Sequence, residues 1–238
     1  MIKTAIKCVA RKLGYVISAY DAKRDPLAIR RSLFNRLDVD LVFDVGANAG
    51  QFAMHLREAG YDRGIVSFEP MSAAFEQLDV AARQDQRWMI RQCALGAEES
   101  TSEINIAGNS WSSSLLGMTE AHTSAAPESA YVDKEVIKVD TLDSLYLEYA
   151  NENSRPFLKI DTQGYTQQVL DGAQESLGKM QGVLVEMSLV ELYVNEPLIG
   201  EVVTTLYNCG FVLISVEPEF FDPNTGQLLQ VNGLFARA

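Results

Sequence analysis

Four acidic residues stand where a carboxylate is costly unless it has something to hold. Asp44 sits near the end of the apolar run LVFDV, ahead of a turn containing Gly46, Ala47, Asn48 and Gly50. Glu69 ends GIVSFE, Asp161 ends FLKID, and Glu186 lies in VLVEMS. Acids are poor strand formers, and an ionised carboxylate on a buried strand needs partners. A glycine turn between strand and helix lets ligand atoms approach the backbone, and the helix N-terminus offers free N–H donors. Twenty-five residues after Asp44, at the tip of the next strand, Glu69 can accept hydrogen bonds from both hydroxyls of a ribose. Together Asp44 and Glu69 point to a ligand that carries adenosine. Asp161 and Glu186, on neighbouring strand tips, could share a divalent cation that lowers the pKa of a substrate hydroxyl. Alternatively, Asp161 alone orients an acceptor or takes its proton. The plainest outcome is that Asp161 caps the next helix and Glu186 binds polar groups of a substrate.

The glycine spacing separates two kinds of adenosine ligand. A dinucleotide site requires G-x-G-x-x-G, and counting from Gly46 the second and third positions are Asn48 and Gln51. What stands is Asp44-x-Gly46-x-x-x-Gly50, the arrangement of S-adenosylmethionine (SAM) methyltransferases, in which no pyrophosphate has to fit. Gly46, Ala47, Asn48 and Gly50 are therefore cofactor-binding candidates with Asp44 and Glu69. Pro70 stops the second strand, directs the chain into a helix and joins that set. After the third strand, RQCALG places Cys93, Ala94 and Leu95 where small or apolar side chains suit an adenine ring. Cys93 has little support as a nucleophile, because buried Cys is usually inert.

These residues need a frame, and the pattern of the chain supplies one. Strands are predicted at 41–45, 64–68, 88–94, 157–160, 183–187 and 211–216, and helices at 50–59, 71–83, 141–150, 165–178 and 198–208. Such βαβα alternation predicts a doubly wound, mostly parallel α/β sheet with helices on both faces. The turn cluster DPNTG followed by LLQVNGLFAR predicts a C-terminal hairpin, hence an antiparallel last strand. Residues 100–140 interrupt the rhythm as two further strands around a polar loop, GNSWSSSLLGM, and long polar loops inside a domain are more often functional than not. Residues 1–36 read as a helical extension and 37–238 as the main domain.

Composition narrows the partners. Twenty basic against thirty-two acidic residues give a net charge of −12, which repels phosphate backbones and excludes nucleic acid as the expected partner. Cys8, Cys93 and Cys209 are too far apart for a disulfide framework or a CxxC pair, so reduced thiols in the cytoplasm are expected. No run approaches the roughly 18 apolar residues of a membrane span. Residues 1–20 instead carry an apolar stripe (Ile2, Ile6, Val9, Leu13, Ile17, Tyr20) with Lys3, Lys7, Arg11 and Lys12 largely off it. A basic amphipathic helix of this kind can lie peripherally on anionic lipid at the inner membrane surface, or pack on the domain.

Taken in order, FDVGANAG, VSFEP, CALG, SSSL, VDTLDSL and LKIDTQGYTQQVLDGA resemble the FkbM family of SAM-dependent methyltransferases. The resemblance runs from residue 41 to about 190. It implies the class I methyltransferase fold, a seven-stranded Rossmann-like sheet with its seventh strand antiparallel. It also implies methyl transfer to hydroxyls of sugars, polysaccharides or polyketide-type metabolites. By the same resemblance Asp44, Gly46, Asn48, Gly50 and Glu69 match cofactor positions, and Ser113 and Ser114 match the family's Ser-rich loop. One segment departs: Gln163 and Thr166 stand where the family usually has acids, so a base or metal role at those two positions is lost here.

In-line positioning supplies most of a methyl transfer, but a sugar hydroxyl must also lose its proton. Asp161, also placed near the cofactor, and Glu186 are candidate catalytic residues, with His122 an alternative base that could swing over the cleft from the 100–140 loop. His55, in the helix after the glycine turn, is expected to be structural, and Lys159 lies too far inside its strand to take part. A different class of function stays open: a protein that keeps the fold without turnover and acts in binding or assembly, docked on membrane through residues 1–20. An NAD-dependent oxidoreductase is a poor fit, because the turn lacks the second glycine.

Overall fold

Apolar runs of about five residues, too short for helices, become central strands in the computed structural model, which describes residues 9–15 and 25–238. In chain order the strands are β1 (Leu41–Val45), β2 (Gly64–Phe68), β3 (Trp88–Arg91), β4 (Ala94–Leu95) and β5 (Ser100–Ala107). There follow β6 (Tyr131–Asp140), β7 (Pro156–Ile160), β8 (Gly182–Ser188), β9 (Phe211–Phe221) and β10 (Leu228–Arg237). Seven of them form one sheet in the order β3-β2-β1-β7-β8-β10-β9. Within it β10 runs antiparallel to both neighbours, and the others are parallel. This is the class I methyltransferase sheet, with the order reversing between β1 and β7, where open α/β sheets bind ligands.

Helices cover both faces. On one side α1 (Pro26–Leu37), α2 (Gln51–Glu58) and α3 (Ser72–Ala82) bury Leu33, Phe34, Ala53, Leu56 and Leu78 against Val42, Ile65 and Phe157. The short α4 (Glu120–Ala125) lies in the 100–140 segment. On the other side α5 (Leu142–Tyr149), α6 (Thr166–Asp171), α7 (Gln174–Leu177) and α8 (Ile199–Asn208) pack Leu142, Val169, Leu177 and Val202 onto Phe43, Leu158, Val183 and Phe235. Two faces of full burial explain why β1, β2 and β7 read as mostly apolar runs, each broken once, by Asp44, Ser67 and Lys159.

Three expectations are revised. The strand predicted over 88–94 ends at Arg91; the chain turns, and Ala94–Leu95 leaves the main sheet for a second one, ordered β4-β6-β5. The helix predicted over 165–178 breaks into α6 and α7 around Gly172, where any Cβ would overlap the Gly96 carbonyl oxygen. The 36/37 division falls inside the last turn of α1, whose Leu33 and Phe34 belong to the core. That helix starts where Pro26 occupies the first turn and Asp25 Oδ1 accepts from Ala28 N at 2.8 Å. Residues 1–8 and 16–24 lie outside the described residues, and most of the stripe predicted over 1–20 lies there with them; of the part described, residues 9–12 are helical and Val9 and Leu13 are exposed. Among the described residues no helix is long and apolar enough to cross a membrane.

Candidate active site

The acid that opens the motif turns out to serve the fold's interior. Asp44 is in register with Ser67 on β2 and Lys159 on β7, so three side chains stand side by side on one face of the sheet. Ser67 Oγ donates to Asp44 Oδ2 at 2.8 Å, and Trp88 Nε1 donates to Ser67 Oγ at 3.0 Å. Lys159 Nζ lies 3.1 Å from Asp44 Oδ1 and donates to the carbonyl of Gly46 at 2.7 Å. Burial opposes the charge on Lys159, but Asp44 and then Asp161 outweigh it and hold the ammonium above its ordinary range. Asp44 is fully buried and does not line the cleft. Its predicted direct contact with a cofactor is thus corrected: cross-strand pairing with Ser67 and Lys159 turns its carboxylate away from the ligand space.

Above this floor the turn is packed tightly. Gly46 has a φ of +73°, and a Cβ there would overlap the backbone carbonyl oxygen of Asp161, so β1 and β7 can approach only with glycine. Gly50, also predicted to touch the cofactor, does not line the cleft; a Cβ on it would come within 2.7 Å of the Trp88 ring, and its role is packing. Glu69 is clamped from two sides: Oε2 accepts from Asn48 N at 2.8 Å and Oε1 from Met71 N at 3.0 Å. Burial raises its pKa to about 7 against the pull of those two N–H groups. Such a carboxylate, dry and fixed, is ready to accept hydroxyl donors from a ligand.

Next to it Pro70, Cys93, Ala94 and Leu95 line the same cleft, as do Gly46, Ala47 and Asn48. Burial pushes the Cys93 thiol up to about 12, which removes it as a nucleophile. The cavity measures about 640 Å³, within the roughly 300–1,000 Å³ typical of sites for drug-sized ligands.

The far side of the cleft is built around Gln163. Its Nε2 donates to Asp161 Oδ1 at 2.8 Å and to Glu186 Oε2 at 2.9 Å, joining the two predicted catalytic acids through one neutral amide. Tyr193 hydroxyl donates to Gln163 Oε1 at 2.8 Å, fixing which way the amide faces. Both amide hydrogens thus stand where a shared cation would sit, and among the described residues no group of three or more His, Cys, Asp or Glu side chains could hold a metal. Burial, then Asp161 and Glu219, push the Glu186 carboxyl well above its ordinary range. Thr166, at the other altered position, is buried at the start of α6.

Ser113 and Ser114 line the cleft with hydroxyls already engaged: Ser113 Oγ accepts from Ala107 N, and Ser114 Oγ donates to the Gln163 carbonyl. They hold the Ser-rich loop against the Gln163 turn. His122 is also corrected. It stands in α4, 2 % exposed, packed against Tyr193 and Phe220, and cannot swing over the cleft it helps to wall. Burial lowers its pKa to about 4, so it is a neutral and weak base at pH 7. His55 is exposed on α2 and lines the rim.

Sequence reasoning set Lys159 aside and missed Tyr193, Asn232 and Glu219, all but Tyr193 lining the cleft. Lys159 did carry a signal, since one Lys inside the apolar strand PFLKI demands a buried partner. Tyr193, Asn232 and Glu219 carried none, because hairpin register and loop packing bring them to the site.

The chain is distantly similar to several solved structures. WbdD is 13% identical over 92% of this chain and 41% of its own, with a TM-score of 0.49. A 1,6-didemethyltoxoflavin-N1-methyltransferase from Burkholderia thailandensis, solved with its namesake ligand and S-adenosylhomocysteine, is 13% identical over 100% of this chain and 87% of its own, with a TM-score of 0.47. Fibrillarin from Aeropyrum pernix, solved with bound SAM, is 12% identical over 82% and 66%, with a TM-score of 0.43. No curated protein sequence matches the chain. The Methyltransferase FkbM domain matches residues 44–213, from the buried acid of β1 into β9, and the chain belongs to that family.

Proposed function

We propose that the cleft binds SAM and that the protein transfers its methyl group to a hydroxyl of a sugar, polysaccharide or related small metabolite. The observation that carries this reading is Glu69, buried at the tip of β2 and clamped by Asn48 and Met71 so that it faces the cleft beside an apolar slot. On this reading Glu69 receives the ribose hydroxyls, Pro70 and Cys93–Leu95 cover the adenine, and Gly46–Asn48 pass along the amino-acid end. SAM supplies a methyl group already activated on a sulfonium. The protein's share is then to orient the acceptor oxygen and accept its proton. Asp161, partly exposed to the cleft and held by Gln163, is the base; Glu186 beside it orients the acceptor. His122 stays neutral and takes no proton.

The net charge and the acids along the cleft argue against nucleic acid as the acceptor. Calorimetric titration with SAM and with S-adenosylhomocysteine tests the cofactor assignment; absence of heat with both at high protein concentration refutes it. Turnover against extracted glycans, followed by mass spectrometry for added methyl groups, separates an enzyme from a binding or assembly protein that retains the fold.

A further inference from the structure

The wall opposite the cofactor strip carries charge that oxygen methylation alone does not require. Glu186 on β8 is in register with Asn232 on β10, and Asn232 is in register with Glu217 on β9. Asn232 Nδ2 donates to Glu219 Oε2 at 2.8 Å, so Glu219 joins the same group, and Gln163 ties in Asp161. Cations in this region are already committed: Arg30 lies 3.1 Å from Glu217, and Lys159 binds Asp44 and the Gly46 carbonyl, 3.6 Å from Asp161. Among the described residues neither Glu186 nor Glu219 has an ion pair; each meets only a neutral amide. Like charges left facing one another across a cleft are a cost that an incoming cation would reverse.

Two further features point to a ligand of that kind. His122, 2 % exposed, walls the same hollow, and its Nδ1 is buried with no partner in the protein. As a neutral imidazole in that wall it brings no charge that would repel a cation. Trp111, 59 % exposed, lines the cleft on the Ser-rich loop, where an indole face attracts a cation.

We infer that the acceptor carries a protonated amine close to the hydroxyl it offers, as an amino sugar or other amino alcohol does, and that Glu186 and Glu219 hold that ammonium. This rests on the SAM assignment and narrows its acceptor class. Anionic sugars such as uronates are disfavoured by the same carboxylates.

Sinefungin, a SAM analogue with an amine in place of the methylsulfonium, puts an ammonium at the position of the transferred methyl. Calorimetry should show it binding the wild-type protein about tenfold more tightly than S-adenosylhomocysteine, an advantage reduced to about twofold in Glu219→Gln. The affinity of that variant for S-adenosylhomocysteine reports whether it is folded. In parallel, saturation-transfer NMR on protein loaded with S-adenosylhomocysteine compares the methyl glycosides of glucosamine, glucose and glucuronic acid at equal concentration, and only the first should give signal. If S-adenosylhomocysteine binds but sinefungin binds no better, the inference fails while the cofactor assignment stands. If the amine gives no advantage among the three glycosides, with or without signal from the others, it fails likewise. If neither nucleoside binds, the cofactor assignment itself has failed.

Discussion

Asp44 and Glu186 occupy similar places, each near the carboxyl end of a central parallel strand and on the same face of the sheet, yet the protein treats them in opposite ways. Asp44 is fully buried, with Ser67 and Lys159 as cross-strand partners. Glu186 keeps part of its surface toward the cleft and meets only the Gln163 amide, while Asp161 and Glu219 crowd it electrostatically. The half of the cleft around Asp44 and Glu69 is therefore electrostatically complete in the protein alone: its acids are paired, or clamped by backbone N–H groups. The Glu186 half holds its acids in place through neutral amides, with no cation paired to Glu186 or Glu219 among the described residues. Strand-tip acids in this protein thus divide into those that assemble the floor and those that face the cleft, and the sheet register decides which is which.

Four changes probe that division. The largest effect is expected from Gly46→Ala, because the added Cβ must enter the space of the Asp161 carbonyl oxygen at a φ of +73°. Urea unfolding should show a loss above about 4 kcal/mol, or no folded protein at all. A stable variant with intact S-adenosylhomocysteine affinity would show that the floor is looser than its contacts imply.

Lys159→Met comes second. It strands the Asp44 carboxylate in a dry interior and should cost about 3–5 kcal/mol. Adding Asp44→Asn should recover most of that loss; if it does not, Lys159 matters through the Gly46 carbonyl rather than through charge.

Third is the acidity of Glu69. Its pKa is raised to about 7, and ribose hydroxyls donate best to its ionised form, so binding must release a proton when it starts from the protonated acid. Affinity for S-adenosylhomocysteine should rise about tenfold per pH unit below that value and level off above it. The linkage to stability has the opposite sign: the unliganded fold favours the protonated acid and loses stability as pH rises from the ordinary carboxylate range to about 7. Glu69→Gln should weaken binding and abolish the slope; a slope that survives would belong to another group.

The smallest change is Tyr193→Phe, which removes the donor to Gln163 Oε1. About 1 kcal/mol of stability should go with it. Turnover should fall while S-adenosylhomocysteine affinity stays level, since only the Gln163 side of the cleft is loosened. Equal losses in both would show that the two halves are coupled.

How far the sequence could be read follows the same division. Strands β1 and β2 were predicted at their observed bounds, because burial on two faces writes a short, mostly apolar run bounded by turn residues. Glu69 was legible from its place at a strand end. The fate of Asp44 was not, since it depends on Lys159, which is 115 residues away and a neighbour only through strand register. Gln163 was recognised as a departure from its family, but its function as the bridge between two acids needs the positions of β8 and Tyr193. The swinging motion expected of His122 failed because no short-range pattern shows that Tyr193 and Phe220 close around it. Local sequence encodes elements and single buried faces; pairings between distant strands and loops are decided by assembly.

The placement of two indoles gives the molecule a built-in optical readout. The chain has only two tryptophans. Trp88 is 7 % exposed and hydrogen-bonded to Ser67 beneath the glycine turn, whereas Trp111 stands 59 % exposed at the cleft's edge. Emission from the first should be blue-shifted and insensitive to aqueous quenchers, and emission from the second red-shifted and readily quenched. Loosening of the packed floor and events at the cleft's edge can therefore be followed as separate spectral components of one unlabelled protein.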